Sequence, residues 1–272
     1  MSTPVCAGSP LLAVFYDADS PGVHTLYPDG THRYTDTEGG VVFADANETG
    51  LITVIWENGG SRRTVMVYDT DLTPLFRWDS GGSIPLAGRT SGEDLLCVSS
   101  LTREGSQLHF FHIDTPEEQY RISFPGEIVT DFDFLSGGSL AAVSEKRLIL
   151  ADAKGNIVSS AEFGGYRPEA WCLSGDYAAV STVSGTDGMM ISVGADGNIL
   201  GSCISPFRVR ALSVRDEILV LFEHGESTLY DNAFAEIVNY QPDPATEQVF
   251  LTPNGMAFFT GPAGVTLADF GR

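Results

Sequence analysis

Short apolar runs separated by turn residues recur along the whole chain. Each run holds about four to seven residues rich in Val, Ile, Leu, Phe and Tyr, and Gly, Asp, Asn, Ser or Pro follows it. This alternation is typical of β-strands joined by tight turns, and helical periodicity is nearly absent. We count about 27 runs, and because no helices separate them, the pattern predicts an all-β, antiparallel fold.

The runs group in fours, which makes the sequence a repeat. Val129 to Phe163 reads as four strands with their turns, and the next two segments repeat the same order. The average repeat is about 41 residues, the length of a four-stranded propeller blade. The second strand of each repeat is predicted to begin near Leu11, Leu51, Leu95, Leu140, Tyr177, Ile218 and Met256. These seven positions predict a seven-bladed β-propeller whose blades have strands a to d, counted from the centre outward.

The whole chain, residues 1–272, is predicted to form this single domain. The predicted blades span approximately residues 3–38, 39–81, 82–125, 126–163, 164–205, 206–241 and 242–272. The last blade has only three strand-like runs, so its c-strand at Val265 to Phe270 is expected to keep an unpaired edge. Three interpretations stay open: a three-stranded blade, a chain trimmed from a longer protein, or a strand donated by a partner at this edge.

The turns between the c- and d-strands carry a family resemblance. They read YPDGT at Tyr27–Thr31, ADAKGN at Ala151–Asn156 and GADGN at Gly194–Asn198. The chain resembles β-propellers of the WD40, YVTN and quinoprotein-like repeat superfamily, although the Gly-His and most Trp-Asp pairs of WD40 repeats are absent. It also resembles propeller domains of bacterial envelope proteins. That second resemblance implies, as an alternative, an extracytoplasmic domain of an anchored protein.

Charge and cysteine content limit the partners and the compartment. The net charge is −21, which disfavours nucleic acid and anionic membranes as partners. No apolar run approaches a membrane span, and the first strand-like run lies too close to Met1 for a signal peptide. The four cysteines are expected to be buried and free of disulfides, which favours a reducing, cytoplasmic compartment; they are Cys6, Cys97, Cys172 and Cys203.

Motifs of known chemistry are absent from the sequence. There is no GxSxG, HExxH or P-loop, and no cysteine–histidine spacing of a zinc site. His109 and His112 are expected on opposite faces of one strand, so they do not predict a metal pair. No metal or cofactor is predicted. The sequence leaves open whether the protein is an enzyme, and the absence of catalytic motifs favours a non-enzymatic protein. An enzyme would have to draw on Asp131, Asp133 and Glu169 of the a-strands.

The loops suggest a binding surface. The d-to-a and b-to-c loops should share one face, which is rich in arginines and aromatics, whereas the opposite face is acidic. Arginine beside an aromatic residue is typical of interface hot spots. The candidate binding residues are Trp56, Tyr166, Arg167, Phe207, Arg208 and Arg210.

These residues predict a non-enzymatic scaffold for a protein or peptide partner, with a carbohydrate-binding or hydrolytic propeller as the alternative. A structural interpretation competes with both. In it the aromatics fill gaps between blades and the arginines pair with Glu169 or Glu223.

Overall fold

A computed structural model describes residues 3–59, 62–92, 94–185, 187–205, 207–252 and 255–270. The chain divides into two compact units, residues 1–129 and 130–272. In each unit, consecutive antiparallel strands form separate meander sheets, in which every strand pairs with its neighbour in sequence. We number the sheets as blades 1 to 7 and call their strands a to d in chain order.

The first unit contains three four-stranded sheets. Blade 1 holds β1 (Pro4–Gly8), β2 (Ala13–Asp17), β3 (Val23–Leu26) and β4 (His32–Thr35). Blade 2 holds β5 (Val41–Ala46), β6 (Ile52–Glu57), β7 (Arg63–Tyr68) and β8 (Pro74–Asp79). Blade 3 holds β9 (Ile84–Thr90), β10 (Leu95–Leu101), β11 (Gly105–His112) and β12 (Glu118–Pro125).

The second unit contains three four-stranded sheets and one three-stranded sheet. Blade 4 holds β13 (Val129–Phe134), β14 (Leu140–Ser144), β15 (Arg147–Ala151) and β16 (Ile157–Glu162), with a short 3-10 helix at Ser136–Gly138. Blade 5 holds β17 (Arg167–Ser174), β18 (Tyr177–Ser184), β19 (Asp187–Gly194) and β20 (Ile199–Ser205). Blade 6 holds β21 (Val209–Val214), β22 (Ile218–Phe222), β23 (Ser227–Tyr230) and β24 (Glu236–Tyr240). Blade 7 holds β25 (Gln248–Leu251), β26 (Met256–Gly261) and β27 (Gly264–Asp269).

These sheets confirm the predicted seven-bladed β-propeller with a three-stranded last blade. In blades 3 to 7 the b-strands begin at the residues that the repeat predicted. In blade 1 the strand begins at Ala13 instead of near Leu11, because the N–H of Ser9 donates to the carbonyl of Leu12 and closes a turn there. The prediction of a single domain spanning residues 1–272 stays a prediction.

Apolar cores between successive sheets hold each unit together. In the first unit, Val14 and Val23 of blade 1 pack against Val54 and Trp56 of blade 2. In the second unit, equivalent cores lie between blades 4 and 5, 5 and 6, and 6 and 7. Each fully buried Val, Leu, Ile or Phe contributes about 1.5–3 kcal/mol to stability, so the sheet-to-sheet contacts dominate the energetics.

The first strands of neighbouring sheets lie side by side in the second unit. β17 lies against β21, and β21 lies against β25. A residue on one a-strand therefore has its neighbour on the next a-strand about one repeat later in sequence. This arrangement brings together side chains that are far apart in the chain.

Two expectations from the sequence concern the cysteines and the free edge of the last strand. The four cysteines are free, as expected, and Cys97 is buried. The expected burial was wrong for Cys6, which is exposed because β1 alternates between exposed and half-buried positions, and Cys172 and Cys203 are only half-buried. Among the described residues β27 has no fourth strand beside it, and pairing of its edge at Val265 to Phe270 by a partner stays a prediction.

No helix in the described ranges is long and apolar enough to cross a bilayer.

Candidate partner-binding surface

In blade 6, the d-to-a loop and the b-to-c turn meet at the same end of the sheet. The Phe207 ring lies 4.2 Å from the His224 ring, centroid to centroid, and also contacts Phe222 edge-on. The N–H of Glu223 donates to the carbonyl of Arg208 at 2.9 Å. Phe207 remains 49% exposed, so this end of blade 6 presents an aromatic surface to solvent. We call the surface formed by residues 166–169, 207–210 and 223–226 the loop face.

Arg208 bridges blades 5 and 6 through two carboxylates. Its Nε donates to Oε1 of Glu169 at 2.7 Å, and Nη1 lies 3.4 Å from Oε1 of Glu223. The Glu169 side chain is only 12% exposed, and its Oε2 also accepts the N–H of Val209 at 3.3 Å. Hydrogen bonding to Glu169 raises the pKa of Arg208. The ion pairs that the structural interpretation expects for Arg208 are therefore present, and binding of a partner by Arg208 stays a prediction.

Arg210 is held differently, by backbone carbonyls. Nη1 donates to the carbonyl of Thr246 at 2.6 Å, and Nη2 donates to the carbonyl of Glu223 at 2.8 Å. No carboxylate in the described part of the chain forms an ion pair with Arg210. Its guanidinium is thus held in position by carbonyl groups and forms no ion pair with a described carboxylate.

Tyr166 and Arg167 lie at the start of blade 5 and differ in their surroundings. The half-buried Tyr166 packs against the core between blades 4 and 5, and its N–H donates to the carbonyl of Phe163 at 3.1 Å. The exposed Arg167 side chain makes no hydrogen bond or ion pair with any described residue. Arg167 and Arg210 are therefore the two arginines among the candidates that remain able to bind an anionic group.

Trp56, the remaining candidate, has a buried side chain. It lies on β6 in the first unit, is 1% exposed and packs in the core between blades 1 and 2. Its position at the end of a strand suggested an exposed ring, but the neighbouring sheet covers it. We therefore assign Trp56 to the core.

A cleft of about 390 Å³ lies over the a-strands of blades 5, 6 and 7. Arg210 and the half-exposed Phe250 line it, and Trp171 adds an indole whose Nε1 donates to Oδ2 of Asp131 at 2.9 Å. Glu247 is the exposed acid of the lining. The remaining lining residues are Glu169, Ala170, Ala211, Leu212, Gln248 and Val249.

The three carboxylates that an enzyme would need are all engaged. Asp131 accepts from Trp171, Oδ1 of Asp133 accepts the N–H of Phe134 at 2.8 Å, and Glu169 pairs with Arg208. Within the described ranges no three His, Cys, Asp or Glu side chains are grouped as metal ligands.

Turn chemistry accounts for the aspartates of the c-to-d turns on the opposite face. The carboxylate of Asp152 accepts the backbone N–H groups of Lys154 and Asn156, both at 2.9 Å. Asp196 accepts the backbone N–H of Asn198 at 3.0 Å in the same way. This backbone hydrogen bond holds the pKa of Asp196 below its usual range. The acids of the c-to-d turns therefore satisfy backbone donors, and they need no ligand to account for them.

A buried polar chain in blade 3 was missed by the sequence analysis. Ser100 Oγ lies 2.7 Å from Nε2 of His109, and Nδ1 of His109 lies 3.2 Å from Oε1 of Glu118. These distances fit a neutral imidazole that accepts from the serine hydroxyl and donates to the carboxylate. Ser100 and His109 are buried, so the chain stabilises the sheet from within. The alternation of β11, which sends His109 inward and His112 outward, was the available signal.

Acidification should destabilise the protein through His109. Burial holds the pKa of His109 below its ordinary value of 6.5, although Glu118 opposes this shift. When the pH falls below 6.5, the imidazole binds a proton more readily in the unfolded chain than in the folded protein. The free energy of unfolding therefore falls as the pH drops. Urea unfolding at about pH 7.5 and about pH 5.5 should show this loss, and His109→Gln should reduce it. An unchanged pH dependence in the variant would assign the loss to other groups.

Comparison with known proteins was made at the level of sequence and of structure. No protein-family model matches the chain, and no curated protein matches it. BamB from Moraxella catarrhalis is 15% identical with a TM-score of 0.64, over 98% of this chain and 84% of that chain. The C-terminal WD40 domain of Sif2 is 12% identical with a TM-score of 0.70, over 96% of this chain and 78% of that chain.

An enzyme structure is also similar. Streptogramin B lyase is 12% identical with a TM-score of 0.63, over 97% of this chain and 93% of that chain. Identities this low establish the fold alone, and fold does not determine function. The chain has the β-propeller fold that WD40 domains and BamB share.

Proposed function

We propose that the protein is a non-enzymatic scaffold that holds a protein or peptide partner on its loop face. The observation that supports this proposal is the unpaired, exposed Arg167 on the same face as the exposed ring of Phe207. Arginine and aromatic residues are enriched among the residues that carry binding energy at protein interfaces. Solvent-exposed arginine without an internal partner loses no ion pair when it binds.

The charges near the loop face limit the kind of partner that would suit it. The described residues on the loop face and on the adjoining turn of blade 4 include five basic side chains, Lys146, Arg147, Arg167, Arg208 and Arg210. Lys146, Arg147 and Arg208 already pair with acids of the protein. The loop face is therefore electrically mixed, in a chain whose net charge is −21. A partner that combines apolar side chains with a few acidic groups would suit it better than a polyanion, which the rest of the surface repels. The cytoplasmic location stays a prediction, as does the extracytoplasmic alternative.

Substitution of Arg167 should weaken partner capture without unfolding the protein. The immobilised full chain would be incubated with a lysate of its source organism, and retained proteins would be quantified by mass spectrometry. Arg167→Glu should reduce capture of a specific partner by about tenfold, because a hot-spot arginine contributes more than 1 kcal/mol.

A matched control is available on the c-to-d turns. Lys154 is also exposed and lies between β15 and β16, and Lys154→Glu changes the charge by the same amount. The control should capture the partner as the wild type does. Equal losses of capture in the two variants would show that the effect comes from net charge alone. Unchanged capture by Arg167→Glu would contradict binding on the loop face.

A further inference from the structure

The cleft over β17, β21 and β25 combines a fixed positive charge with an exposed aromatic wall. Hydrogen bonds to two backbone carbonyls hold the Arg210 guanidinium in place. A guanidinium has five N–H donors, so three remain for a ligand. Because the two hydrogen bonds already restrict its rotamers, Arg210 loses little conformational entropy when it binds a further group.

The apolar part of the cleft lies on the neighbouring strands. Phe250 of β25 is 49% exposed, and Leu212 of β21 and Trp171 of β17 also line the cleft. The hydrogen bond from Trp171 to Asp131 fixes the orientation of the indole. An apolar side chain placed here would remove the ring of Phe250 from water, which is favourable.

Two acids border the same cleft, and they differ in availability. Glu169 is mostly buried and engaged by Arg208, so its charge is offset locally. Glu247 is exposed, and no described residue forms an ion pair with its carboxylate. Arg210 and Glu247 therefore carry opposite charges on one cleft, and a ligand's charge decides which of them it favours.

We propose that this cleft binds a peptide carboxylate next to an apolar side chain, with the carboxylate on Arg210 and the apolar group on Phe250. This inference rests on the proposed function, because it names the chemistry of the partner on the same end of the blades. Charge complementarity with Arg210 carries it, since charge-assisted bonds between guanidinium and carboxylate are short, strong and geometrically specific. The carboxylate can belong to a chain terminus or to an acidic side chain.

Four fluorescein-labelled peptides distinguish the two sources. The first, Gly-Gly-Gly-Leu, has a free C-terminal carboxylate, and the second has the same sequence with a C-terminal amide. The third is Gly-Asp-Leu-Gly amide, and the fourth replaces its Asp with Asn. Binding to the full-length protein is measured by fluorescence anisotropy. Preference for the first peptide over the second assigns a terminal carboxylate, and preference for the third over the fourth assigns an acidic side chain.

Two variants test the roles of the cleft residues. Arg210→Gln should weaken the carboxylate peptide about tenfold, in line with the loss of a hydrogen bond to a charged group. Glu247→Gln should tighten it, because a repelling charge is removed. Lys154→Gln is the control and should leave the affinity unchanged, since Lys154 lies on the turn between β15 and β16 and does not line the cleft.

Several outcomes would overturn the inference. They are equal binding of charged and neutral peptides, no saturable binding of any peptide, and weaker binding by Glu247→Gln, which would indicate a cationic ligand. Glu247→Gln remains informative if Arg210→Gln fails to fold. If no peptide binds while Arg167→Glu still weakens protein capture, the cleft does not bind a carboxylate and the proposed function stands.

Discussion

Phe111→Ala should lower the free energy of unfolding by about 3–5 kcal/mol, the range for removing a fully buried phenylalanine ring. Phe111 lies on β11 and is completely buried. Its ring centroid is 5.3 Å from that of Phe76 and 5.0 Å from that of Trp78, both on the d-strand of blade 2. Substitution leaves a cavity between blades 2 and 3, and urea unfolding followed by tryptophan fluorescence measures its cost.

Phe15 provides the control for this substitution. It lies on β2 of the same unit and is 37% exposed, so Phe15→Ala should cost about 1 kcal/mol or less. A loss below about 1 kcal/mol for Phe111→Ala would show that blades 2 and 3 do not pack through this ring.

Gly105→Ala should also destabilise the protein strongly, by about 3 kcal/mol. Gly105 has a φ of +142°, a conformation that only glycine adopts readily. A methyl carbon added there would lie 2.1 Å from the carbonyl oxygen of Phe124 and 3.0 Å from that of Glu127. Both obstacles are backbone atoms, so the start of β11 or the end of β12 would have to move.

Gly126 separates the two causes of that loss. It also has a positive φ, +65°, but no atom lies within 4 Å of an added methyl carbon. Gly126→Ala should therefore cost about 1 kcal/mol, the cost of the left-handed conformation alone. Thermal unfolding of both variants measures the difference, and equal losses would contradict the close approach at Gly105.

The repeat made most of the fold predictable from the sequence. Leu95, Leu140 and Tyr177 begin b-strands where the spacing placed them. The strand in blade 2 begins one residue late, at Ile52, because the side chain of Asn47 accepts the N–H of Leu51 and extends the turn. A hydrogen bond of this kind is local, so the average spacing of the repeats does not predict it.

The candidate site was predictable only in part. The sequence placed Phe207 and Arg208 on a loop, but it did not decide whether Arg208 would bind a partner or pair with Glu169. Glu169 and Arg208 are 39 residues apart, and Asp131 and Trp171 are 40 apart. Each separation is close to one repeat, so pairs at this spacing were candidates for contact between neighbouring a-strands. Burial of Trp56 had no comparable signal, because it depends on how the next sheet packs.

Hydrogen–deuterium exchange with and without a captured partner tests the loop face most directly. Amide exchange should slow in residues 166–169, 207–210 and 223–226 when the partner is bound. Exchange in the c-to-d turns at residues 152–156 and 196–198 should not change. Protection of those turns, with no protection on the loop face, would contradict partner binding on the loop face.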